Sequence, residues 1–116
     1  MFAAIVLAAS LSHPSASACF AEIFKASGYG FRHDERAAFL IARDDGGFDC
    51  LVWPRTNGYQ SARWQGVVPK NAVAIAHTHP RNLPELSAHD FAEADRIGLP
   101  VIVVTQLGAN VASPHH

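Results

Sequence analysis

Two histidines and an aspartate in the second half of the chain have the types and spacing of metal ligands. Only one residue separates His77 from His79, so in an extended segment both side chains point to the same side. Asp90 lies in the first turn of a predicted helix, and the turn before it can fold it back onto the histidines. Two neutral imidazoles and one carboxylate suit a catalytic zinc, which keeps its fourth position for water. These residues therefore indicate a Zn²⁺ site that lowers the pKa of its water toward about 7.

Ser87 and Asp90 also have an interpretation that involves no metal. The spacing Ser87-x-x-Asp90 is typical of a helix N-terminus, where the serine caps the helix and the aspartate accepts a hydrogen bond from the cap backbone. A His-x-His pair on its own is often fortuitous. The interpretation of these residues therefore depends on the pattern that they form together.

The combined pattern, His77-x-His79-x7-Ser87-x2-Asp90, fixes four positions within 14 residues. It resembles the His-x-His-x7-Ser-x2-Asp signature of the JAMM (JAB1/MPN/Mov34) metalloprotease superfamily, and Pro80 after the second histidine also matches. The resemblance implies a small prokaryotic-type JAB domain. The expected fold is then α/β (α+β), an MPN/JAB-like (cytidine-deaminase-like) arrangement of three layers in which helices flank a mixed sheet.

The resemblance also implies a catalytic glutamate at the start of a strand that follows a helix. Glu35 fits this position, because it stands just before the apolar segment 37–42 and lies 42 residues before His77. Glu22 is the alternative, but it falls inside a predicted helix. The other interpretation of Glu35 is an ordinary solvated residue in the polar segment 32–36.

Each of these residues has a role in the mechanism that the resemblance implies. His77, His79 and Asp90 hold Zn²⁺, while Glu35 takes a proton from the water and later passes it to the leaving amine. Ser87 donates a hydrogen bond to the oxyanion of the tetrahedral intermediate, a contact worth about 10²–10³ in rate. The expected function is a zinc-dependent peptidase or isopeptidase that cleaves a protein or peptide substrate through a metal-activated water.

Hydrophobic periodicity and turn residues predict the elements that must position this site. In chain order they are a helix at residues 18–27 with Ser17 as its N-cap, strands at 37–42 and 48–53 joined by a turn at 44–47, a short strand at 62–65, a strand at 72–76, a helix at 88–97, a strand at 101–105 and a short strand near 110–112. The irregular alternation of strands and helices indicates an α+β or α/β fold around a mixed sheet. The strand at 72–76 leads the chain directly into the histidine pair.

The composition limits the class of protein. A chain of 116 residues is long enough for one domain and too short for two. The chain contains 49% hydrophobic and 16% charged residues, which excludes disordered and fibrous classes of protein. Nine Lys and Arg against ten Asp and Glu give a net charge of -1 without a basic run, so no nucleic-acid partner is expected.

The two cysteines and the remaining histidines carry less information. Two cysteines exclude a cysteine-based zinc knuckle. Cys19 and Cys50 either pair in an oxidising compartment or remain small buried thiols, and their spacing does not distinguish these states. Five histidines outside the motif are assigned to a leader, a loop, a helix surface and the C-terminal tail: His13, His33, His89, His115 and His116.

Residues 1–18 are interpreted either as a signal peptide or as the first strand, and residues 19–116 as the JAB/MPN-like domain. The apolar run at 1–11 would rise only about 16 Å as a helix, which is too short to span a membrane. Ala16-x-Ala18 fits a cleavage site, although a basic segment before the apolar run is missing. We therefore expect export to the periplasm or the medium, and otherwise a cytoplasmic protein.

Other classes share parts of the motif. Cupins use His-x-His with a later glutamate, but Glu85 follows His79 after five residues, a longer gap than cupins have. The amidohydrolase barrel needs roughly 250 residues and is excluded by length. A catalytically inactive MPN-like binding module stays open, although such modules typically lose a ligand or the glutamate. A secreted JAB-like domain that acts as a toxin or processes one is a further alternative.

Overall fold

The structure, a computed structural model, describes residues 13–29, 35–54, 64, 66–79, 86–106 and 108–114. Several features named from the sequence lie outside the described residues: the leader segment 1–12, most of the short strand at 62–65, His33, Pro80, Glu85, His115 and His116. The candidate site residues between Glu35 and Asp90 all lie within the described part.

The described residues fold into two helices and five strands, in the order α1 (Pro14–Ala26), β1 (Ala37–Ala42), β2 (Phe48–Val52), β3 (Ala72–Thr78), α2 (Ala88–Ile97), β4 (Val101–Thr105) and β5 (Gly108–Ala112). The strands form one sheet in the order β2-β1-β3-β4-β5, in which β3 and β4 are parallel and the other pairs are antiparallel. This part of the chain is an α+β fold around a mixed sheet, as predicted. The predicted bounds of β1, α2 and β4 are confirmed.

Each face of the sheet is covered by one helix. Side chains alternate between the two faces along every strand, so neighbouring residues of one strand pack against different helices. On one face, Ile23 of α1 belongs to the same buried cluster as Ala76 of β3. On the opposite face, Ala94 of α2 belongs to a cluster with Ile75, the preceding residue of β3. Helix, sheet and helix thus form three layers among the described residues.

The hairpin between β1 and β2 contains the turn that the sequence predicts. Arg43 N–H donates to the Gly47 carbonyl at 2.9 Å, and Gly46 N–H donates to the Arg43 carbonyl at 3.2 Å. Gly46 has a φ of +86°, which favours glycine because a side chain there would be strained. The Asp45 carboxylate accepts a hydrogen bond from Gly47 N–H at 2.8 Å. The turn is therefore stabilised by the local residues from which it was predicted.

The first helix begins earlier than predicted. α1 starts at Pro14 rather than at residue 18, and its N-cap is His13 rather than Ser17. The Nδ1 atom of His13 accepts a hydrogen bond from the Ser15 N–H at 3.1 Å, which replaces the usual oxygen of a Ser, Thr, Asp or Asn cap. Proline suits the first helical position, since its φ is already helical. The predicted start was wrong because histidine is not a usual N-cap residue.

The predicted boundary between leader and domain falls within α1. Ala16 is fully buried in the cluster beneath α1, and the Ser15 hydroxyl accepts a hydrogen bond from Phe48 N–H at 2.8 Å. Residues before this boundary therefore pack against the sheet in the structure, while cleavage stays a prediction. No helix among the described residues is long and apolar enough to cross a membrane.

A disulfide connects α1 with β2. Cys19 and Cys50 are bonded, with their Cα atoms 5.4 Å apart and a sequence separation of 31. Of the two states that the sequence allows, the structure contains the paired one. The bond lies on the sheet face that α1 covers, so it crosslinks this helix to the sheet.

β3 extends two residues beyond its predicted end at residue 76. Thr78 N–H donates to the Arg36 carbonyl at 2.9 Å, and the Thr78 hydroxyl accepts from Arg36 N–H at 3.0 Å. The pairing of β3 therefore continues beyond the first residue of β1 to Arg36, which precedes that strand. This extension places His77 inside β3 and holds Glu35, the residue before Arg36, near the end of β3.

Candidate metal centre

The end of β3 carries both histidines of the motif on the face that α2 covers. His77 is the next-to-last residue of β3, and His79 directly follows the strand. Both side chains are buried, and their ring centroids lie 5.0 Å apart with the ring planes at 86°. The two rings therefore lie next to each other on one side of the chain, as the spacing predicts.

Asp90 meets the histidines from the first turn of α2 and is fully buried. Its Oδ1 atom lies 2.6 Å from Nε2 of His77. Nε2 of His79 lies 3.1 Å from Oδ2 and 3.2 Å from Oδ1 of the same carboxylate. One ligand atom from each of the three residues lies within 4.8 Å of the other two. The structure thus brings the three predicted ligands together.

Ser87 caps α2 and also holds the Asp90 carboxylate. Asp90 N–H donates to the Ser87 hydroxyl at 3.2 Å, and Ser87 N–H donates back to Asp90 Oδ2 at 2.6 Å. The Ser87 hydroxyl donates to the same carboxylate oxygen at 2.9 Å. The helix-cap interpretation is confirmed, and the capping residues are the same ones that the motif places at the site.

Asp90 is negatively charged at neutral pH despite its burial. Burial raises the pKa of a carboxyl group, because it penalises the charged form. Here the contacts with His77 and His79 and the backbone hydrogen bond from Ser87 outweigh this penalty and hold the pKa of Asp90 well below its usual range. The carboxylate therefore offers a negative charge at the point where the two imidazole rings meet.

The Nε2 atom of His77 has no hydrogen-bond partner in the described part of the chain. Asp90 Oδ1 is close, at 2.6 Å, but it lies away from the direction that an N–H hydrogen bond needs. An ion or a water is the usual explanation for a buried polar atom whose hydrogen bond is not made. Two imidazole nitrogens and a carboxylate oxygen are ligands that zinc takes. The residues therefore fit a bound divalent metal ion.

Glu35 lies beside His77, just before β1. The backbone of Arg36 pairs with Thr78, between the two histidines, and this pairing sets the position of Glu35. Oε2 of Glu35 lies 3.9 Å from Nδ1 of His77, and the side chain is 10% exposed. The two groups are therefore neighbours at a distance longer than a hydrogen bond.

The other carboxylate and histidine candidates lie away from this group. Glu22 belongs to α1, on the opposite face of the sheet, where it borders an open groove beside the disulfide. His89 is exposed on α2, and His13 caps α1. Glu35 rather than Glu22 is thus the carboxylate that the structure places next to the ligands.

Sequence reasoning missed an ion pair one turn beyond Asp90, in which a buried glutamate meets an exposed arginine. Glu93 is 8% exposed and accepts two hydrogen bonds from Arg96, at 2.7 and 2.8 Å. These bonds raise the pKa of Arg96. Arg96 also donates to the carbonyl of Trp64 at 3.1 Å, which ties that residue to α2. The spacing of Glu93 and Arg96 is the only local signal for this pair, and it is equally common on solvated helix surfaces.

A scan against protein-family models found no matching model for the chain. Searches against curated proteins and against solved structures likewise found no match. The function is therefore argued from the site itself.

Proposed function

We propose that the chain is a zinc-dependent peptidase or isopeptidase of the JAMM type, with an MPN/JAB-like fold. The observation that carries the proposal is the buried convergence of His77, His79 and Asp90, with the Glu35 carboxylate beside them. A fortuitous His-x-His pair requires neither a buried aspartate between its rings nor a second acid next to them. The combination is that of a hydrolytic metal site with its own proton acceptor.

The order of the elements supports the family in this proposal. Four elements occur in this order along the chain: a helix, a strand that begins beside Glu35, a strand that carries the histidine pair at its end, and a helix capped by Ser87. This is the order that the JAMM resemblance implies. A mixed sheet with one helix on each face is also compatible with the expected three-layer arrangement.

In the proposed enzyme, the imidazole nitrogens of His77 and His79 and the carboxylate of Asp90 hold the metal. Zinc, when bound, supplies a Lewis acid that polarises the substrate carbonyl and lowers the pKa of water toward about 7. Two histidines and one carboxylate also suit Fe²⁺. Analysis of the metal that copurifies with the chain therefore shows which of the two ions the purified protein holds.

Glu35 is the residue that moves the proton in the proposed reaction. Its carboxylate accepts a proton from the attacking water and donates it to the amine of the leaving group. Asp90 is unsuited to this task, because its oxygens already contact Ser87 and both histidines and its pKa is held low. The two acids therefore have different roles, one as a ligand and the other as a base.

The hydroxyl of Ser87 stabilises the oxyanion of the tetrahedral intermediate. In the structure it donates to Asp90 Oδ2, but this oxygen also accepts the Ser87 backbone N–H at 2.6 Å. The hydroxyl can therefore turn toward a substrate oxygen without leaving the Asp90 carboxylate unpaired. Capping and oxyanion stabilisation are thus successive uses of one side chain.

The proposal is tested by measuring peptide hydrolysis with purified protein whose metal content has been determined. The purified chain is expected to hold stoichiometric zinc and to cleave fluorogenic peptide or isopeptide substrates, with activity lost on chelation and restored by zinc. Glu35→Gln is the matched control, since it keeps the ligands and removes the base. Stoichiometric zinc without any cleavage would indicate the inactive MPN-like binding module instead. Failure to take up zinc would contradict both.

We also propose that the protein functions outside the cytoplasm. Disulfides persist in oxidising compartments and are rare in cytosolic proteins, and Cys19 and Cys50 are paired in the structure. Sequencing the N-terminus of protein recovered from the periplasm or medium tests this. A mature chain that begins at Cys19 would support the predicted cleavage, whereas one that begins before Pro14 would show that α1 is kept whole.

A further inference from the structure

The two histidines have different neighbours within the sheet. His77 is paired with Ala37 of β1 on one side and with Val103 of β4 on the other, and both neighbours are buried and apolar. Neither can accept a hydrogen bond through its side chain. Asp90 meets Nε2 of His77 at 2.6 Å, and the acid beside Nδ1 is Glu35, which lies before the start of β1 at 3.9 Å.

His79 has a polar neighbour in the same register. Thr78 is paired with Val104 in the parallel ladder of β3 and β4. One residue further along both chains, His79 therefore lies beside Thr105. Neighbouring strands lie about 4.8 Å apart, which puts side chains on the same face within contact distance.

Thr105 also lies on the correct face of the sheet. Ile102 and Val104 belong to the cluster beneath α1, whereas Val101 belongs to the cluster beneath α2. Alternation along β4 therefore directs Thr105 toward α2, the side on which Nε2 of His79 meets Asp90. Thr105 is 7% exposed and ends a strand whose four preceding residues are all aliphatic.

We infer that Thr105 is a positioning residue for the metal ligand His79. The Nε2 atom of His79 is the one that faces Asp90 and the metal position, which leaves Nδ1 to be oriented by a second group. Histidine ligands almost always donate their other ring N–H to an acceptor outside the first coordination sphere, and this contact fixes the tautomer and the ring orientation. The hydroxyl of Thr105 is such an acceptor. This inference rests on the metal centre of the proposed function.

Substitution of Thr105 separates the hydroxyl from the volume of the side chain. Thr105→Val keeps the shape and removes the acceptor, and it is expected to weaken zinc binding by about 10- to 100-fold. Thr105→Ser restores the hydroxyl and is expected to bind zinc nearly as tightly as the parent. Zinc affinity is measured by competition with a chromogenic chelator, and the absorption spectrum of the Co²⁺-loaded chain reports ligand geometry independently of catalysis.

The outcomes distinguish this inference from the function on which it rests. A weaker affinity and an altered Co²⁺ spectrum in Thr105→Val, both reversed in Thr105→Ser, would support it. Equal zinc affinity in parent and Thr105→Val, or equal losses in the valine and serine variants, would overturn it while leaving the metal centre intact. A parent chain that binds no metal would overturn the metal centre itself. Thr105→Ala provides the same comparison if the valine variant does not fold.

Discussion

The two faces of the sheet differ in what their buried side chains do. On the face toward α1, the core contains small and aliphatic side chains such as Ala38 and Ile102, and a disulfide crosslinks the helix to the sheet. On the face toward α2, apolar packing includes Ile75 of β3, but the next residues on that face are His77 and His79. One face is thus built for stability, and the end of the other is built from groups that can bind a cation.

A single strand serves both faces because its side chains alternate. Ala74 and Ala76 of β3 pack beneath α1, while Ile75 and His77 face α2. A shift of the strand by one residue would turn the histidines into the layer beneath α1 and put neighbours such as Ala76 and Thr78 in their place. The apolar face therefore fixes the register that the candidate metal centre needs. We therefore expect substitutions on the α1 face to change stability and substitutions on the α2 face to change metal binding and turnover.

The largest effect on turnover is expected at Glu35. Glu35→Gln removes the proton acceptor without touching a ligand, so kcat should fall by about 10²- to 10⁴-fold. Zinc content and the midpoint of thermal unfolding should stay close to those of the parent, because Gln keeps the size of the side chain. Stopped assays of kcat check this prediction, and they use the same protein preparations whose metal content is measured. A variant as active as the parent would show that Glu35 is not the base.

A smaller loss of turnover is expected for Ser87→Ala. Removing the hydroxyl should lower kcat by about 10²- to 10³-fold if it stabilises the oxyanion. Loss of the cap should also lower the free energy of unfolding by about 1 kcal/mol. Ser87→Thr keeps a hydroxyl at the cap and is the matched control. If Ser87→Ala reduces stability but leaves kcat unchanged, the serine serves only to cap α2 and hold Asp90.

Removal of the disulfide should affect stability alone. With a sequence separation of 31 between Cys19 and Cys50, the double variant Cys19→Ser/Cys50→Ser should lose about 3–4 kcal/mol in the free energy of unfolding. Denaturant titration measures this change. Zinc content and kcat per folded molecule should match the parent, since the bond lies on the face opposite to α2. A variant that stays folded but cannot bind zinc would show that the two faces are not independent.

Local signals in the sequence predicted most of the secondary structure. The turn after β1 follows from Asp45 and the glycines beside it, and α2 follows from the Ser87 cap and the Gly98 at its end. α1 shows where such signals end, because its cap is a histidine nitrogen. The sequence carries no usual signal for that cap, so the helix was predicted to begin four residues too late.

Some residues of the site could also be predicted from local sequence patterns, whereas others depend on contacts between distant parts of the chain. The pair of histidines and the Ser87–Asp90 cap are short-range patterns, and both were recognised from spacing alone. The position of Glu35 depends on the pairing of Arg36 with Thr78, 42 residues away in the chain, and only a resemblance to known sequences pointed to it. The contribution of Thr105 depends on the parallel register of β3 and β4, which periodicity within one segment does not specify.

Zinc stoichiometry shows whether His77 and His79 hold a metal ion. The parent chain and the double variant His77→Ala/His79→Ala are purified in parallel, and bound metal is measured by mass spectrometry together with the circular dichroism spectrum of each sample. We expect stoichiometric zinc in the parent and none in the double variant, with both chains folded. A double variant that is folded and still holds full zinc, or a parent that holds no metal after zinc is supplied, would contradict it.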